Sequence, residues 1–382
     1  MIASQEPSVA VVGAGPGGLA AAMLLAASGV RVRIYEAQPV IGGRTARISK
    51  DGYHFDTGPT FFLMPYVLDE IFSACGKRVS DYVHLHRLDP MYRLLIGNPE
   101  GCDPWQIEAT QDIEEMAKRI GAIHKPDGEA FPKYISDNRA KLRAAEPILR
   151  APIRSVFDLM NAGTMKALPH IKPHMSVHQL LSKYFSHHAS QLAVSFQSKY
   201  LGMSPYDCPS LFTILPFIEY EYGIWHPIGG CNAIMTAMAD AFREMGGEIV
   251  TDAPVEEITF AGNKANGVVV NGERHEHAHV VVNADAAWAI KNLIPERLRP
   301  THTDRKMDKK RYSCSTYMMY LGVDGEVDLP HHTIFISEKY TKNLDDISNA
   351  GRLSEDARTY VCNPSPIAPS LAPAGKSSLN VL

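Results

Sequence analysis

The first residues with the types and spacing for chemistry are four glycines in one short loop. Gly13, Gly15, Gly17 and Gly18 follow an apolar segment, residues 8–12, and precede an apolar, helix-forming stretch. In such a loop the first glycine permits a tight turn, the second lets the backbone approach a pyrophosphate, and the last lets the helix pack against the strand. The helix N-terminus adds free N–H groups and a positive dipole end. The spacing therefore predicts that the loop holds a dinucleotide.

A carboxylate follows at the place where the ribose of a dinucleotide would lie. Residues 30–36 (VRVRIYE) predict a second strand, and Glu36 ends it, 18 residues after Gly18. Its side chain can accept hydrogen bonds from ribose hydroxyls, and its charge disfavours a 2′-phosphate, which makes NADP a poor candidate. A glycine motif alone is a weak signal, but here the strand, helix, second strand and carboxylate occur in the required order.

Two more turns indicate which dinucleotide binds. Gly43 and Arg44 come after a short loop, and Gly58, Pro59 and Thr60 follow the segment GYHFDT. Alone, the first turn would be a plain turn and the arginine a surface charge. Behind a complete dinucleotide motif, this extension resembles the FAD-binding start of the amine oxidase and carotenoid desaturase superfamily. The resemblance implies that the arginine and the second glycine pair lie beside the phosphates and flavin, and that the cofactor is FAD.

The elements that must position these residues continue far downstream. Residues 211–222 (LFTILPFIEYEY) alternate enough to predict a strand, and residues 223–230 (GIWHPIGG) follow as a glycine-rich turn. Residues 231–245 then predict an amphipathic helix with an apolar stripe on one face. We treat this region as a second anchor of the nucleotide-binding domain.

Two further segments complete the predicted return to that domain. Residues 248–258 are typical of a strand and a turn, and residues 279–290 predict a buried strand with Ala284 and Asp285 at its end. In the superfamily that the motifs resemble, this order brings the chain back to the FAD domain. The resemblance implies that Val255 lies under the adenine and contacts it through backbone groups.

The predicted fold class is mixed α/β (α+β), a Rossmann-like FAD-binding domain joined to a discontinuous substrate-binding domain. At 382 residues the chain is too long for one compact core, so two domains are expected. We assign residues 1–85 and 223–290 to the FAD-binding domain. Residues 86–222 and 291–382 form the substrate-binding domain, which includes a helical, membrane-facing part. A small-molecule site would lie at the junction of the two domains.

The resemblance extends over nearly the whole chain to the bacterial-type carotenoid desaturases, a family that includes phytoene desaturase and dehydrosqualene (diapophytoene) desaturase. The segments that carry it are residues 58–65 (GPTFFLMP), 71–85 (IFSACGKRVSDYVHL), 200–230, 311–324 (RYSCSTYMMYLGVD), 331–337 (HHTIFIS) and 370–382. The family continues beyond the final segment, GKSSLNVL, to a glycine-rich part that closes over the flavin. We therefore expect a chain truncated at its C-terminus, in which tight FAD binding is weakened.

The resemblance implies an FAD-dependent desaturase that introduces double bonds into a C30 or C40 carotenoid precursor, such as phytoene or dehydrosqualene. A C–H beside an existing double bond gives hydride to the flavin, and the neighbouring carbon loses a proton. The cofactor does this chemistry, and the protein supplies orientation and a dry tunnel. Oxygen or a quinone would be the final electron acceptor. A nucleophile triad is not needed for such a reaction, and the sequence contains no sign of one.

The sequence identifies no catalytic base, and the catalytic residues stay unknown at this stage. Glu219 and Glu221 would share one face of the predicted strand, and we interpret them as solvated edge carboxylates rather than acid–base groups, since carboxylates are mostly exposed. Trp225 and His226 are placed to line the substrate channel near the flavin. A core tryptophan beside a hydrogen-bonded histidine is an equally good interpretation of that pair.

Histidines and cysteines give little support for a metal site. The 16 histidines include the pairs at residues 187–188 and 331–332, but no HExxH or comparable ligand spacing. The six cysteines are scattered without a CxxC pair, which predicts neither a zinc site nor a disulfide framework and favours a reducing compartment. We expect no metal and a cytoplasmic protein.

A basic segment suggests contact with a membrane. Residues 118–172 contain 11 Lys and Arg against five Asp and Glu, a local net charge of +6 in a chain whose net charge is -4. Pro152 could begin a helix over residues 152–168 with Ile153, Val156, Phe157 and Met160 on one stripe and Arg150, Arg154 and Lys166 beside it. Such a helix could lie in an anionic membrane surface, or it could be a lid packed on its own domain. The protein would then be peripheral to the inner face of the cell membrane.

Partners and alternatives follow from the same observations. The overall negative charge argues against nucleic acid, and the expected partners are the isoprenoid substrate, the membrane surface and the electron acceptor. Three other enzymes stay open: a carotenoid terminal-methyl oxidase, a carotene cis–trans isomerase, and, with less support, a flavin amine oxidase. An inactive, FAD-free fragment that only binds lipid is the alternative outside enzyme function.

Overall fold

The computed structural model describes residues 8–98, 103–153, 155–310, 312, 315–348, 351–352, 354 and 359–382. Within them the strands are β1 (Ser8–Val12), β2 (Arg31–Tyr35), β3 (Arg47–Lys50), β4 (Tyr53–Asp56), β5 (Leu85–Arg87), β6 (Tyr92–Ile96), β7 (Trp105–Ala109), β8 (Trp225–Pro227), β9 (Glu248–Val250), β10 (Val255–Ala261), β11 (Lys264–Val270), β12 (Glu273–Glu276), β13 (His279–Val282), β14 (Met319–Asp324), β15 (His332–Ile336), β16 (Thr359–Cys362) and β17 (Lys376–Val381). The α-helices are α1 (Pro16–Ala27), α2 (Pro65–Ala74), α3 (Ile113–Ile123), α4 (Lys125–Arg150), α5 (Ala162–Ile171), α6 (Val177–Leu181), α7 (His188–Ala193), α8 (Ile214–Tyr222), α9 (Asn232–Glu244), α10 (Ala286–Leu293), α11 (Asp304–Asp308) and α12 (Tyr340–Ser348).

The glycine loop connects the first strand and helix of a parallel sheet. This sheet has four strands in the order β13-β1-β2-β9, and every neighbouring pair runs parallel. Helix α1 begins with Pro16, which suits the first helical position because its missing N–H is not needed there. Helix α9 packs with α1 into one buried cluster that contains Leu19, Met23, Met238 and Phe242. The predicted strand–helix–strand unit and the predicted helix after residue 231 are therefore confirmed.

The last strand of this sheet differs from the prediction in its environment. Strand β13 was expected to be buried, but it pairs only with β1 at the edge of the sheet, and Val282 is 38% exposed. Parallel pairing to β1 still brings its carboxyl end beside the glycine loop. The position of the strand is as predicted, and its burial is not.

Four more sheets complete the described architecture, and two of them are the two-stranded antiparallel pairs β3–β4 and β5–β8. Strands β10, β11 and β12 form a three-stranded antiparallel sheet beside the parallel one. The larger sheet has six strands in the order β14-β17-β16-β15-β6-β7, and its β15–β6 pair is parallel while its other pairs are antiparallel. Part of the 311–324 motif, namely residues 311, 313 and 314, lies outside the described residues. The domain boundaries given above stay a prediction.

Residues 211–222 form helices, so the predicted strand is wrong. Ser210–Thr213 is a 3₁₀ turn, and α8 continues from it as far as Gly223, whose φ of 77° ends the helix. Ile214, Phe217 and Ile218 recur at helical spacing and are buried. The alternation of EYEY at the end of the segment suggested a strand, but this 3.6-residue period decides the structure.

The basic segment is also divided differently from the prediction. Helix α4 extends to Arg150, a 3₁₀ turn covers Val156–Leu159, and α5 begins only at Ala162. Asn161 accounts for the second break, because its side-chain oxygen accepts a hydrogen bond from the Thr164 N–H and starts a new helix. A single helix beginning at Pro152 is therefore wrong. Arg154 lies outside the described residues, as does the side chain of Val156. Among the described helices, none is long and apolar enough to cross a membrane.

Candidate active site

The glycine loop lies in a cleft of about 690 Å³ at the carboxyl ends of the parallel strands. Seven of the predicted FAD-binding residues line it: Gly13, Gly15, Gly17, Glu36, Gly43, Arg44 and Val255. Gly18 lies behind the loop, where a Cβ would come closer than 3.0 Å to the carbonyl oxygen of Gly13. Only glycine permits this approach of helix to turn, which is the packing that the spacing predicted.

Asn283 explains why two other loop positions are glycine. A Cβ on Gly13 would lie 2.5 Å from the backbone oxygen of Asn283, and a Cβ on Gly17 would lie 2.6 Å from its side-chain nitrogen. Asn283 follows β13, and its N–H donates to the Val12 oxygen over 2.8 Å. Our sequence analysis missed this residue, although its position directly after an apolar strand could have indicated it. The loop therefore has bare backbone on the side facing the cleft.

Glu36 is fixed by backbone hydrogen bonds at the wall of the cleft. The Ala14 N–H donates to its Oε2 over 2.7 Å, and the Gln38 N–H donates to its Oε1 over 2.9 Å. The residue is only 6% exposed, yet it lines the cleft. A carboxylate has about four acceptor sites, so each oxygen retains capacity for a hydroxyl donor in the cleft.

Arg44 lies at the mouth of the cleft and pairs with an acid on the opposite side. Its Nη2 is 3.2 Å from Oδ2 of Asp285, whose Oδ1 also accepts hydrogen bonds from the first N–H groups of α10. The Arg44 side chain is otherwise exposed. Gly58 packs behind it, since a Cβ there would lie closer than 3.0 Å to the Arg44 carbonyl oxygen. The two glycine-rich turns are thus in direct contact.

Thr60 connects this region to a second, apolar pocket. Its hydroxyl is hydrogen-bonded to the hydroxyl of Tyr360, which is also 2.6 Å from Nδ1 of His332. Tyr360 and His332 both line the apolar pocket, whose volume is about 160 Å³. The other lining residues are Phe61, Tyr92, Phe196, Lys199, Tyr200, Ile224, Ile334, Phe335, Thr359 and Leu382. Nine of the twelve lining side chains are aromatic (Phe or Tyr) or aliphatic, so the pocket suits a hydrocarbon segment.

Histidines from distant parts of the chain meet beside this pocket. His331 Nδ1 lies 3.0 Å from Nε2 of His332 and 3.8 Å from Sγ of Cys362, and the ring of His226 lies 4.3 Å from that of His331, centre to centre. The possible donor atoms of His331, His332 and Cys362 lie within 4.8 Å of one another. Because His331 Nδ1 and both His332 nitrogens already have hydrogen-bond partners, we describe this group as a hydrogen-bond network. The absence of a bound metal stays a prediction.

Trp225 and His226 lie next to the apolar pocket but not in its lining. The Trp225 indole N–H donates to the Tyr222 carbonyl oxygen over 2.8 Å, and its backbone pairs with Phe62, the neighbour of a lining residue. His226 is buried, and both of its ring nitrogens lack a hydrogen-bond partner of normal geometry. Burial lowers the pKa of His226 to about 4. Their role in lining a substrate channel stays a prediction.

Glu219 is the largest departure from the sequence interpretation. It was expected to be solvated, but it is 0% exposed and lies behind the pocket wall on α8. Its Oε2 accepts hydrogen bonds from the Tyr92 hydroxyl over 3.1 Å and from the Gln197 side-chain N–H over 2.9 Å. Burial raises its pKa to about 7, against the opposing effect of these donors. Glu221 is paired instead with Arg139 at 2.6 Å near the surface.

Comparison with known proteins agrees with this geometry. Residues 16–382 match the family described as flavin containing amine oxidoreductase. The chain is 40% identical to a 4,4'-diapophytoene desaturase (4,4'-diapolycopene-forming) from a Methylomonas species, over 98% of this chain and 72% of that protein. It is 35% identical to a carotenoid 3,4-desaturase from Haloarcula japonica, over 98% of this chain and 75% of the relative.

A solved structure supports the fold. An oxidoreductase from Methanosarcina mazei superposes with a TM-score of 0.64 at 18% identity, covering 98% of this chain and 78% of the other. The family match spans nearly the whole chain, and its desaturase relatives are far more similar in sequence than this structure. The chain therefore belongs to the flavin containing amine oxidoreductases and, within them, to the carotenoid desaturase group.

Proposed function

We propose that the protein is an FAD-dependent desaturase that introduces double bonds into a C30 or C40 carotenoid precursor, such as phytoene or dehydrosqualene. One observation carries the proposal: an apolar pocket whose wall is hydrogen-bonded to Thr60, two residues after Gly58, which packs against the backbone of the cleft residue Arg44. A hydrocarbon in such a pocket loses contact with water, and its position is set by shape rather than by polar contacts.

The residues of the cleft fit an FAD molecule whose pyrophosphate lies at the glycine loop and whose ribose lies at Glu36. The bare backbone at Gly15 and Gly17 can approach the pyrophosphate, and the buried Glu36 can accept from ribose hydroxyls. Arg44 is free to turn from Asp285 toward a phosphate, because its side chain is exposed. Val255 lines the cleft, and in this orientation its backbone groups would contact the adenine. When bound, the flavin supplies the hydride acceptor.

The apolar pocket would hold the reacting part of the isoprenoid and keep water away from it. Phe61, Phe196 and Ile224 provide apolar walls, and the polar lining groups His332 and Tyr360 are hydrogen-bonded to each other. An amine oxidase would need groups that bind an ammonium ion, and no carboxylate lines the described part of this pocket. The pocket therefore favours the desaturase over the amine oxidase.

A carotenoid precursor is insoluble in water, so it would reach the protein from a membrane surface. Five exposed apolar residues occur between the end of α4 and α5, namely Leu149, Ile153, Phe157, Met160 and Met165. Phe157 and Met160 are each 75% exposed, and the cation Lys166 is exposed in the same stretch of the chain. Exposed aromatic and thioether side chains next to basic groups are suited to the interface of an anionic membrane. We place the protein at the inner, cytoplasmic face of the membrane, where oxygen or a quinone reoxidises the flavin.

Conversion of substrate in liposomes tests the proposal. Purified protein with added FAD is incubated with liposomes that contain phytoene or dehydrosqualene, and the product is identified by its polyene absorbance spectrum. New absorbance bands at longer wavelength support desaturation. An oxygenated product from a preformed carotenoid would instead identify a terminal-methyl oxidase, and a cis–trans change without loss of hydrogen would identify an isomerase. No change in the flavin absorbance spectrum even at saturating FAD would contradict the assignment as an FAD-dependent enzyme.

A further inference from the structure

Four histidines form a row between the apolar pocket and the protein surface. His332 lines the pocket, His331 and His226 are buried behind it, and His86 is exposed. They come from three separate parts of the chain: residues 331 and 332 at the start of β15, residue 226 in β8, and residue 86 in β5. No local motif brings them together, so the row is a product of the tertiary fold.

Contacts along the row are continuous. The Tyr360 hydroxyl is 2.6 Å from Nδ1 of His332, and Nε2 of His332 is 3.0 Å from Nδ1 of His331. The rings of His331 and His226 are 4.3 Å apart, centre to centre, which is ring-to-ring contact, and a rotation of one ring would bring a nitrogen of each together. His226 lies directly opposite His86 in the antiparallel β5–β8 pair, where side chains about 5 Å apart share one face.

The buried members of the row have unused hydrogen-bonding capacity. Nε2 of His331 has no hydrogen-bond partner, and the ring nitrogens of His226 have none of normal geometry, although the Thr60 backbone lies near that ring. Leaving such groups unpaired inside a protein is energetically costly. Burial lowers the pKa of His332 to about 3 and that of His331 well below its ordinary value. A neutral imidazole has one donor and one acceptor nitrogen, so it can accept a proton on one side and release one on the other.

The groups that make up the path carry no fixed charge. Cys362, which contacts His331, is a neutral thiol at pH 7, because burial raises its pKa to about 12. Burial also raises the pKa of Tyr360 well above its ordinary value, so its hydroxyl keeps a proton to donate. The row itself therefore contains neither a carboxylate that would trap a proton nor a permanent cation that would repel one, although Lys199 lines the same pocket.

We propose that Tyr360 and the row His332–His331–His226–His86 conduct the proton released by each desaturation from the apolar pocket to solvent. This inference rests on the proposed function. The pocket lining is mostly apolar, and Tyr360 and His332 are hydrogen-bonded polar groups within it, so they are placed to take up the proton that each new double bond releases.

With FAD bound, one substrate carbon would give hydride, with both bonding electrons, to the flavin, and the electron pair of the neighbouring C–H bond would become the second bond of the new C=C as its proton leaves. The Tyr360 oxygen accepts that proton while its own hydroxyl proton moves to Nδ1 of His332. His332 then releases the proton on Nε2 to His331, and the transfer continues through His226 and His86 to water. Oxygen or a quinone later removes the two electrons from the reduced flavin.

Single-turnover kinetics test the path in the flavin-loaded protein. Flavin reduction is followed by its absorbance after anaerobic mixing with phytoene or dehydrosqualene in liposomes, and proton release is followed with a pH-indicator dye. The wild type should release its proton together with flavin reduction. In His226→Leu, proton release should be slowed about 100-fold, the lower end of what a positioned proton-transfer group contributes. His188→Gln, a change at a half-buried histidine on α7 outside the row, should behave as wild type.

A second variant, at an exposed position, keeps the test valid if the buried variant His226→Leu misfolds. His86→Ala changes an exposed position, and added imidazole should restore its slowed proton release because the small molecule can occupy the vacated site. Proton release at the wild-type rate in both His226→Leu and His86→Ala would overturn the proposal. If the wild type does not reduce its flavin with either substrate, the desaturase assignment fails instead.

A measurement that needs no turnover tests the contacts between the histidine rings independently. Histidine ring ¹⁵N chemical shifts report which nitrogen carries the proton and respond to a change in a neighbouring ring. His226→Leu should shift the ring signals of His331, and His188→Gln should leave them unchanged. Ring signals of His331 that are identical in wild type and His226→Leu would overturn the contact on which the path depends.

Discussion

Replacing Glu219 with glutamine removes a carboxyl group that the fold holds entirely away from solvent. The amide can still accept hydrogen bonds from Tyr92 and Gln197, since its oxygen replaces the Oε2 that both donors now contact. The substitution is close to isosteric, so the packing of α8 should change little. Its main effect should come from removing the proton-binding group itself.

The pKa of Glu219 determines the size and the sign of the change in the free energy of unfolding. Burial raises this pKa from 4.5 to about 7, so the folded protein binds a proton more tightly than the unfolded chain between these two pH values. The contribution of Glu219 to stability is therefore greatest below pH 4.5 and is lost as the pH rises through about 7. A rise of about 2.5 units corresponds to about 3 kcal/mol at 1.36 kcal/mol per unit.

Urea unfolding at several pH values between 5 and 8 measures this prediction. The free energy of unfolding of Glu219→Gln minus that of the wild type should rise by about 3 kcal/mol from low to high pH, because only the wild type then carries a buried charge. Glu221→Gln is the matched control, since Glu221 lies two residues away but is paired with Arg139 and partly exposed. A difference between Glu219→Gln and wild type that stays constant from pH 5 to 8 would refute the reasoning.

Three further outcomes are expected. Gly18→Ala should abolish the flavin absorbance spectrum, since its Cβ would come closer than 3.0 Å to the Gly13 carbonyl oxygen, whereas Gly121→Ala has a nearest neighbour at 3.7 Å and should retain it. Glu36→Gln should weaken FAD binding about 10- to 100-fold in a fluorescence titration, the value of a hydrogen bond to a charged acceptor, and unchanged affinity would exclude its ribose contact. Phe157→Asp should reduce liposome flotation at both low and high salt, because the apolar contact does not depend on screening. Wild-type protein that floats at neither salt concentration would contradict membrane binding.

The nucleotide-binding half of the site could be predicted from the sequence because its signals are local. The spacing of Gly13, Gly15 and Gly18 reflects contacts within one strand–turn–helix unit, and the structure places them in that unit. Asn283 could not be found in this way, since its contact with the loop depends on the parallel pairing of β1 and β13. Local spacing predicts a turn, but not the distant chain segment that packs against it.

Burial of Glu219 could not be predicted from the sequence for the same reason. The EYEY alternation suggested an exposed strand edge, and only the packing of α8 against residues from β6 and from the segment around Gln197 encloses the carboxyl group. The histidine row likewise joins β5, β8 and the start of β15, which are brought together by two different sheets. The pairs in the sequence indicated histidine-rich segments, and the fold determines which of them meet.

The groups around the apolar pocket share one electrostatic property that suits a hydrocarbon substrate. Burial is the largest cause of every pKa shift among His332, Tyr360, Cys362 and Glu219, and each shift favours the neutral form. A fixed charge at this wall would need water or a counter-ion inside the pocket. In their neutral forms these four groups need neither, so their part of the wall can stay dry before the reaction and still accept a proton during it, whereas Lys199 is a cation elsewhere in the same lining. The same burial that makes the pocket apolar thus makes its polar wall fit for proton transfer.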